Sequence, residues 1–293
     1  MKLGLGTVQF GMEYGITNRE GQPGLETVRA ILAEAALNGV RVLDTACQYG
    51  ASESVLGAAL PGNHSFHIVT KTPFFPVERI TRREGDLLTS TFLQSLQNLR
   101  TDSVYGLLIH SARDLLKPGA DFLINAMLEL QKSGKIIKIG VSVYAPSELL
   151  TILERFPLDL AQTPVNLLDQ RWLDGDNIAR LRASGVEMHA RSVFLQGILL
   201  SDPDALPPFF TGLRPHLTAL RAAIRERNLT PLEAALGFVR DLDWVDVLLC
   251  GVTTVPQLCE ITQAMTARFD SAFLRPFACR DENYTNPSLW VTT

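Results

Sequence analysis

Four side chains in this sequence could together move a proton and hold a charge. They are Asp44, Tyr49, Lys71 and His110. Three of them close short apolar runs: Val42-Leu43-Asp44, Ile68-Val69-Thr70-Lys71 and Leu107-Leu108-Ile109-His110. Tyr49 follows Asp44 by five positions. An apolar strand that ends in an unpaired buried charge loses several kcal/mol, so such endings call for a reason. Pairing Asp44 with Lys71 removes that cost. A lysine beside the Tyr49 phenol is expected to favour phenolate and lower its pKa, which would make the tyrosine a general acid usable near neutral pH. His110 could orient a carbonyl oxygen and donate a hydrogen bond to it. Taken singly, each residue has a plainer reading. Asp44 could cap a helix, Lys71 could form a salt bridge, His110 could be a satisfied core histidine, and Tyr49-Gly50 could be a turn. Their occurrence on consecutive structural units is what suggests chemistry.

The elements that must position them alternate in period. Short β-rich runs recur at Leu3–Thr7, Val40–Ala46, His67–Thr72, Tyr105–Ser111, Ile137–Ser142, Leu160–Asn166, Val186–Ser192 and Val247–Val252. Most are almost continuously apolar, as strands buried on both faces of a parallel sheet are. Between them lie helical patterns at Leu25–Asn38, Asp86–Leu99 (with Asp86 as N-cap), Ala120–Ser133, Pro146–Phe156, Asp176–Ser184, Pro215–Arg227, Pro231–Arg240 and Val255–Ala267. This alternation predicts an α/β protein, a (β/α)8 TIM barrel with its site at the C-terminal ends of the strands. A doubly wound sheet is the main rival, but the first turn, GLGTVQFG, is not a GxGxxG fingerprint. No linker divides the chain, so residues 1–293 are expected to form a single barrel domain. Asp202–Arg214 reads as a long loop, and the tail 270–293 as a segment that covers the site or frays.

Composition narrows the function. Lys plus Arg is 27 and Asp plus Glu 31, giving a formal charge of −4. That excludes a simple electrostatic nucleic-acid binder. With 46% apolar and 20% charged residues the chain is not an acidic disordered one either. The start, MKLGLGTVQF, does not read as an export signal, and no window approaches a membrane span. Cys47, Cys250, Cys259 and Cys279 show no CxxC spacing and read as reduced thiols of a cytoplasmic protein.

The segments LGLGTVQFG, LDTACQYGASESVLG, IVTK, LLIHS, GKIIKIGVS and LLCGVTTVPQL resemble those of the aldo/keto reductase superfamily, from about Leu3 to about Ala267. The most specific is the pattern LDTA-x-x-YG-x-SE-x-x-LG. The resemblance implies a catalytic tetrad at Asp44, Tyr49, Lys71 and His110, and reversible hydride transfer between a nicotinamide and an aldehyde or ketone. Tyr49 would be the acid and base, and no metal would take part. It implies NAD(P)H bound across the barrel mouth. Thr7 belongs to that cofactor set, and Ser142 and Gln162 would hold the carboxamide. Ser192, Leu195 and Gly197 would line the pyrophosphate, and Gly251, Thr253, Gln257 and Glu260 would approach the adenosine.

Several positions depart from the family pattern. Val143 stands where an asparagine is common, and Ile261 where another is often seen near the adenine. Arg191 occupies a position that commonly supplies an aromatic stacked on the nicotinamide; it too is counted in the cofactor set. Around Gly251, Val252 and Gln257 no cation is placed to pair with a 2′-phosphate, so NADH is expected to be used at least as readily as NADPH. Phe10, Tyr14, Phe74, Phe75, Trp172 and Phe194 could face the mouth, with about half of them expected to be packing. With Arg171 and Arg191 they would suit a hydroxylated ring, an acidic carbonyl compound or a sugar-like aldehyde. Two readings from other classes are a non-catalytic nucleotide-binding barrel serving as sensor or subunit, and a metal-assisted hydrolase built on Asp44 and His110. The physiological substrate and the oligomeric state are left open by the sequence.

Overall fold

The computed structural model describes residues 2–290. Eight parallel strands close on themselves in chain order: β1 (Lys2–Gly6), β2 (Val42–Asp44), β3 (His67–Lys71), β4 (Val104–Ile109), β5 (Ile136–Ser142), β6 (Leu160–Pro164), β7 (Glu187–Arg191) and β8 (Val247–Gly251). The helices are α1 (Val8–Gly11), α2 (Leu25–Leu37), α3 (Ser52–Ala59), α4 (Arg82–Leu99), α5 (Ala112–Leu116), α6 (Asp121–Lys132), α7 (Pro146–Leu153), α8 (Asn177–Ser184), α9 (Arg214–Arg225), α10 (Pro231–Arg240), α11 (Val255–Ala264) and α12 (Glu282–Thr285). The fold is the predicted (β/α)8 barrel.

Two apolar layers hold it. A small cluster of Val42, Val69, Leu108, Leu160, Val247 and Leu249 fills the barrel interior. The larger cluster lies between strands and helices, with Leu5, Leu43, Ile109, Val141 and Leu248 facing Ile31, Leu88, Met127 and Leu258. Side chains alternate across a strand with period two. The alternation that turns Val42, Val69, Leu160 and Leu249 inward therefore also turns Asp44, Lys71, Gln162 and Gly251 inward, one step nearer the mouth. Register completes the alignment: Gly6 pairs with both Asp44 and Gly251, and Ser142 with Gln162.

The helices depart from expectation at α4, at α3 and at the short α1, α5 and α12, none of which was expected. Helix α4 starts at Arg82 rather than after Asp86. Thr81 precedes it, and the Glu84 carboxylate accepts from the Thr81 N–H at 2.8 Å, a reciprocal cap that satisfies first-turn donors. Asp86 is an exposed residue inside the first turns. Helix α3, between β2 and β3, carries no apolar stripe long enough to announce it.

The Pro-rich segment 202–214 folds into two short 3-10 turns, Pro203–Ala205 and Pro208–Leu213, and buries Phe210. The tail does not fray up to residue 290. Leu274 is fully buried, the Cys279 N–H donates to Leu168 O at 2.9 Å, and Trp290 packs edge-on against Phe210 at 5.0 Å between centroids. Residues 291–293 of the predicted tail lie outside the described residues. All four cysteines are free. Among the described residues no helix is long and apolar enough to cross a membrane.

Candidate active site

A cavity of about 1200 Å³ opens at the C-terminal ends of the strands. Its base is the Lys71–Asp44 pair. Lys71 is fully buried and its ammonium donates to Asp44 Oδ1 at 2.6 Å, Asp44 Oδ2 at 2.7 Å and Thr45 O at 2.9 Å. These three bonds use all three ammonium protons. Gln162 Nε2 donates to the same carboxylate at 2.7 Å.

Tyr49 sits above the pair, with the Lys71 ammonium 4.8 Å from its ring centroid. The turn that carries it is built by close backbone approach. Gly50 has φ +55°, in the left-handed region, and Ala51 N–H donates to Gly11 O at 3.1 Å. A Cβ on Gly11 would fall 2.0 Å from Tyr49 O, so α1 reaches the turn only because residue 11 is glycine. The Ser52-Glu53 pair that follows is scaffold. Ser52 Oγ donates to Thr7 O at 2.8 Å, and Glu53 accepts from Thr70 Oγ1 at 2.7 Å and Asn98 Nδ2 at 3.3 Å.

The electrostatics correct one expectation. Tyr49 is held well above its usual pKa, first by burial and then by the Asp44 carboxylate, with Arg191 opposing. Lys71 does not pull it down, because the Asp44 carboxylate 2.6 Å away cancels its charge. Burial likewise lowers the Lys71 pKa, and Asp44 resists that shift. His110 meets Tyr49 edge-on, with ring centroids 5.8 Å apart, and lies 4.6 Å from the Phe74 ring. Its Nδ1 is buried and has no partner. Burial, then the charges of Lys71 and Arg191, push the imidazole pKa down to about 3. His110 is therefore a neutral imidazole, and Tyr49 a protonated phenol, at any ordinary pH.

Asp44, Tyr49, His110, Thr7, Ser142, Gln162, Arg191, Ser192, Gly197, Gly251, Thr253, Gln257 and Glu260 all line the cavity. Lys71 lies beneath Tyr49 and does not. Leu195 is also absent from the lining: its side chain is fully buried in the core, and the wall passes to Val193, Phe194 and Gln196. Thr7 reaches the cavity, but its hydroxyl is committed to Asp44 O and Ser52 Oγ, each at 2.9 Å. Of the six aromatics considered, Tyr14, Phe74 and Phe194 line the cavity. Phe10, Phe75 and Trp172 are core, with Trp172 Nε1 donating to Thr163 Oγ1 at 2.9 Å. Arg171 is not free for an anion. It is bound bidentately by Asp169 at 2.8 Å, by Glu282 at 2.8 Å and by Tyr144 O at 2.8 Å.

Four further lining residues were not singled out by sequence. Tyr144 stacks under the Arg191 guanidinium, whose carbon lies 4.4 Å from the ring centroid. Gln196 pins the loop between α1 and α2: its side-chain oxygen accepts from Ile16 N–H at 3.3 Å, and its carbonyl from Thr17 Oγ1 at 3.0 Å. Arg113 follows His110 by three positions. Gln9 lies against Gly251, its Oε1 buried without a partner. No pattern in the sequence marks an isolated glutamine as facing a cavity.

A buried hydroxyl donor over a charge-paired base, beside a neutral imidazole, can protonate and orient a carbonyl oxygen. Residues 2–276 match the model of the aldo/keto reductase family, and the chain belongs to that family. Among curated relatives, protein REDOX 2 of Catharanthus roseus is 29% identical over 53% of this chain and 53% of its own length. Aldo-keto reductase YhdN of Bacillus subtilis (strain 168) is 29% identical over 58% of this chain and 51% of its own. The chain thus aligns with about half the length of the curated relatives it matches. In structure it is similar to aldo-keto reductase AKR11C1 from Bacillus halodurans (holo form), with a TM-score of 0.77 and 22% identity, covering 94% of this chain and 92% of that one. Glycerol dehydrogenase AKR11B4 from Gluconobacter oxydans gives a TM-score of 0.70 and 21% identity over 99% and 94% of the two chains. At those identities the likeness speaks for the fold.

Proposed function

We propose that this protein is an NAD(P)H-dependent reductase that interconverts an aldehyde or ketone and the corresponding alcohol, with Tyr49 as the acid and base. The observation that carries the reading is Tyr49 set above the buried Lys71–Asp44 pair, with the His110 ring edge-on beside it at the cavity floor. His110 orients the carbonyl oxygen and Tyr49 delivers a proton to it. In the reverse direction Tyr49 takes the proton back. The Lys71–Asp44 pair fixes the floor beneath the ring, and the Arg191 charge, which already opposes the upward shift of Tyr49, offsets the negative charge that forms as its proton leaves.

The residues present suit a nicotinamide dinucleotide. Gln162 Oε1 is buried and unpartnered, an acceptor that a carboxamide N–H would satisfy. The Ser142 hydroxyl lines the cavity next to Gln162. Gln9, Gly251, Thr253, Gln257 and Glu260 form the far wall. A bound nicotinamide supplies the hydride. Among the described residues no Lys or Arg lines the wall between Gly251 and Ile261, and Glu260 adds negative charge there. Arg268 bonds the carbonyls at the end of α11 and lies outside the lining. These features support use of NADH at least as readily as NADPH.

The test is cofactor oxidation with a panel of small aldehydes and ketones, on the wild type and on Tyr49→Phe. The wild type should turn over. The variant should lose turnover by 100-fold or more, roughly the share of positioned acid–base catalysis, with cofactor affinity nearly unchanged. Unimpaired turnover in Tyr49→Phe would overturn the assignment, and NADPH binding tenfold tighter than NADH would end the cofactor preference.

A further inference from the structure

The charges around Tyr49 do not sum to zero. Asp44 and Lys71 neutralise one another. His110 is uncharged at ordinary pH, its pKa held at about 3. Arg191 is left over. It ends β7, is partly buried and forms no ion pair among the described residues. Its guanidinium is held in place by neutral partners: Val143 O accepts at 3.1 Å, Ser192 Oγ lies at 3.3 Å, and the Tyr144 ring lies 4.4 Å away.

The carboxylates of the lining are engaged elsewhere or lie at the rim. Glu148 accepts from Tyr144 N–H at 2.7 Å and Ala145 N–H at 3.1 Å, capping α7. Glu282 pairs with Arg171, and Glu20 and Glu260 are exposed. Meanwhile the Arg191 charge acts on Tyr49, Lys71 and His110 alike. None of these carboxylates pairs with Arg191, which therefore puts an unpaired positive charge at the reacting end of the cavity.

We propose that Arg191 makes this site selective for the reduced form of its dinucleotide over the oxidised form. The inference rests on the dinucleotide reading above. A ring that gives hydride to a carbonyl held by Tyr49 and His110 must lie in the cavity that Arg191 also lines, where the Arg191 charge already acts on those two residues. The reduced ring is uncharged and the oxidised ring is a cation. Only the oxidised form is repelled by a guanidinium that makes no ion pair with a carboxylate. For like unit charges several ångströms apart at an effective dielectric of roughly 20 to 40, that repulsion is worth about tenfold or more in affinity. Arg191 leaves the overall equilibrium of the reaction untouched. It changes which complexes persist, since the oxidised cofactor leaves readily after each carbonyl reduction. The residue is thus placed to favour reduction as the working direction.

The experiment is a set of equilibrium titrations of the full chain with NADH, NAD+, NADPH and NADP+ at fixed salt. They are run on the wild type, Arg191→Gln and Arg191→Lys, with no substrate present. The readout is the ratio of oxidised to reduced dissociation constants for each cofactor pair. The wild type should favour the reduced form. Arg191→Gln should lower the ratio by about tenfold, equivalent to about 30 mV in the two-electron potential of the bound cofactor. Arg191→Lys should keep most of the bias, because it keeps the charge. An unchanged ratio in Arg191→Gln would overturn the inference while leaving the dinucleotide site intact. So would equal loss of bias in both variants, which would trace it to packing on Tyr144 rather than to charge. If the wild type binds none of the four nucleotides, the dinucleotide reading fails and this inference fails with it.

Discussion

Tyr49 and His110 are both kept in their uncharged forms by the same cause, burial at the floor of a cavity whose cation nearest the ring is already paired. The four site residues were legible because each closes or follows an apolar strand run, where a charge needs a reason. The direction of the Tyr49 shift was not, because spacing shows neither how deeply the phenol is buried nor how closely Asp44 cancels the Lys71 charge. The Leu195 side chain turns into the core, because a motif gives the turn but not which side chain faces the cavity. The consequence for pH can be worked out with its sign. The folded imidazole binds a proton only near pH 3, whereas an unfolded one does so near 6.5. Between those values the unfolded chain holds more protons, so His110 removes stability as pH falls below about 6.5, by up to about 1.4 kcal/mol per pH unit. Urea denaturation of the wild type and His110→Asn at pH 7 and pH 4.5 should show the wild type losing more on acidification. Equal losses would mean that the imidazole titrates normally. For the same reason the rate at saturating cofactor should be flat from about pH 5 to 9, and a break near 6.5 in the wild type would contradict it.

At the scale of elements, the turn after β7 is where local backbone preference yields to the site. Ser192, Leu195 and Gln196 adopt left-handed φ values of 59°, 48° and 52°, and Gly197 has φ +92°. Strain of this kind concentrates at ligand clamps and persists only when the surroundings enforce it. Here the loop between α1 and α2 enforces it through Gln196, so two loops far apart in sequence close one wall of the cavity. A Cβ on Gly197 would lie 1.8 Å from Thr17 Oγ1, whereas one on Gly175 (φ +56°) would meet nothing within 4 Å. Gly175→Ala should cost only the backbone penalty of about 1 kcal/mol. Gly197→Ala should in addition push the 12–24 loop away. That should speed hydrogen exchange at Ile16, whose N–H is bonded to Gln196, and weaken dinucleotide binding. Similar exchange in both variants would show that the two loops are not coupled. A second element-level device lies at the other end of the barrel. The Glu187 carboxylate accepts from Tyr105 Oη at 2.7 Å and contacts His189 Nε2 at 2.8 Å and Lys138 Nζ. Burial pushes its pKa up, but these bonds outweigh that and hold it well below the usual range. Glu187→Gln should destabilise the fold by about 1–3 kcal/mol at pH 7. That difference should shrink as the pH drops through the folded-state pKa; a loss independent of pH would instead point to packing. None of this was visible in sequence, because Tyr105, Lys138 and Glu187 come together only when the barrel closes.

For the whole molecule, the barrel arithmetic was legible because eight apolar runs of parallel-sheet character leave few ways to bury them. The tail was not, because its contacts are made one at a time with distant loops rather than along a periodic face. Leu274 enters the core, Gln170 Nε2 donates to Leu274 O at 3.1 Å, and Glu282 binds Arg171. Glu282, Asn286, Ser288 and Leu289 then line the cavity. The tail therefore either belongs to the cooperative unit that forms the site or is a cover that peels away while the barrel stays folded. The two cases differ in how they respond to a single deletion. If the tail is integral, Leu274→Ala leaves a void in a fully buried position and lowers global stability by about 2–5 kcal/mol. If the tail peels, its contacts are lost in a local opening and the global transition barely moves. Thermal unfolding of the wild type and Leu274→Ala, followed by both far-UV and near-UV circular dichroism, separates them. The packing of Trp290 on Phe210 and of Tyr284 on Phe209 and Phe210 ties the tail to the loop before α9 at several points. The expected result is thus a single transition lowered by about 5 °C or more, the two probes remaining coincident. An unshifted far-UV transition with an early near-UV change would assign the tail to a separate, weaker unit.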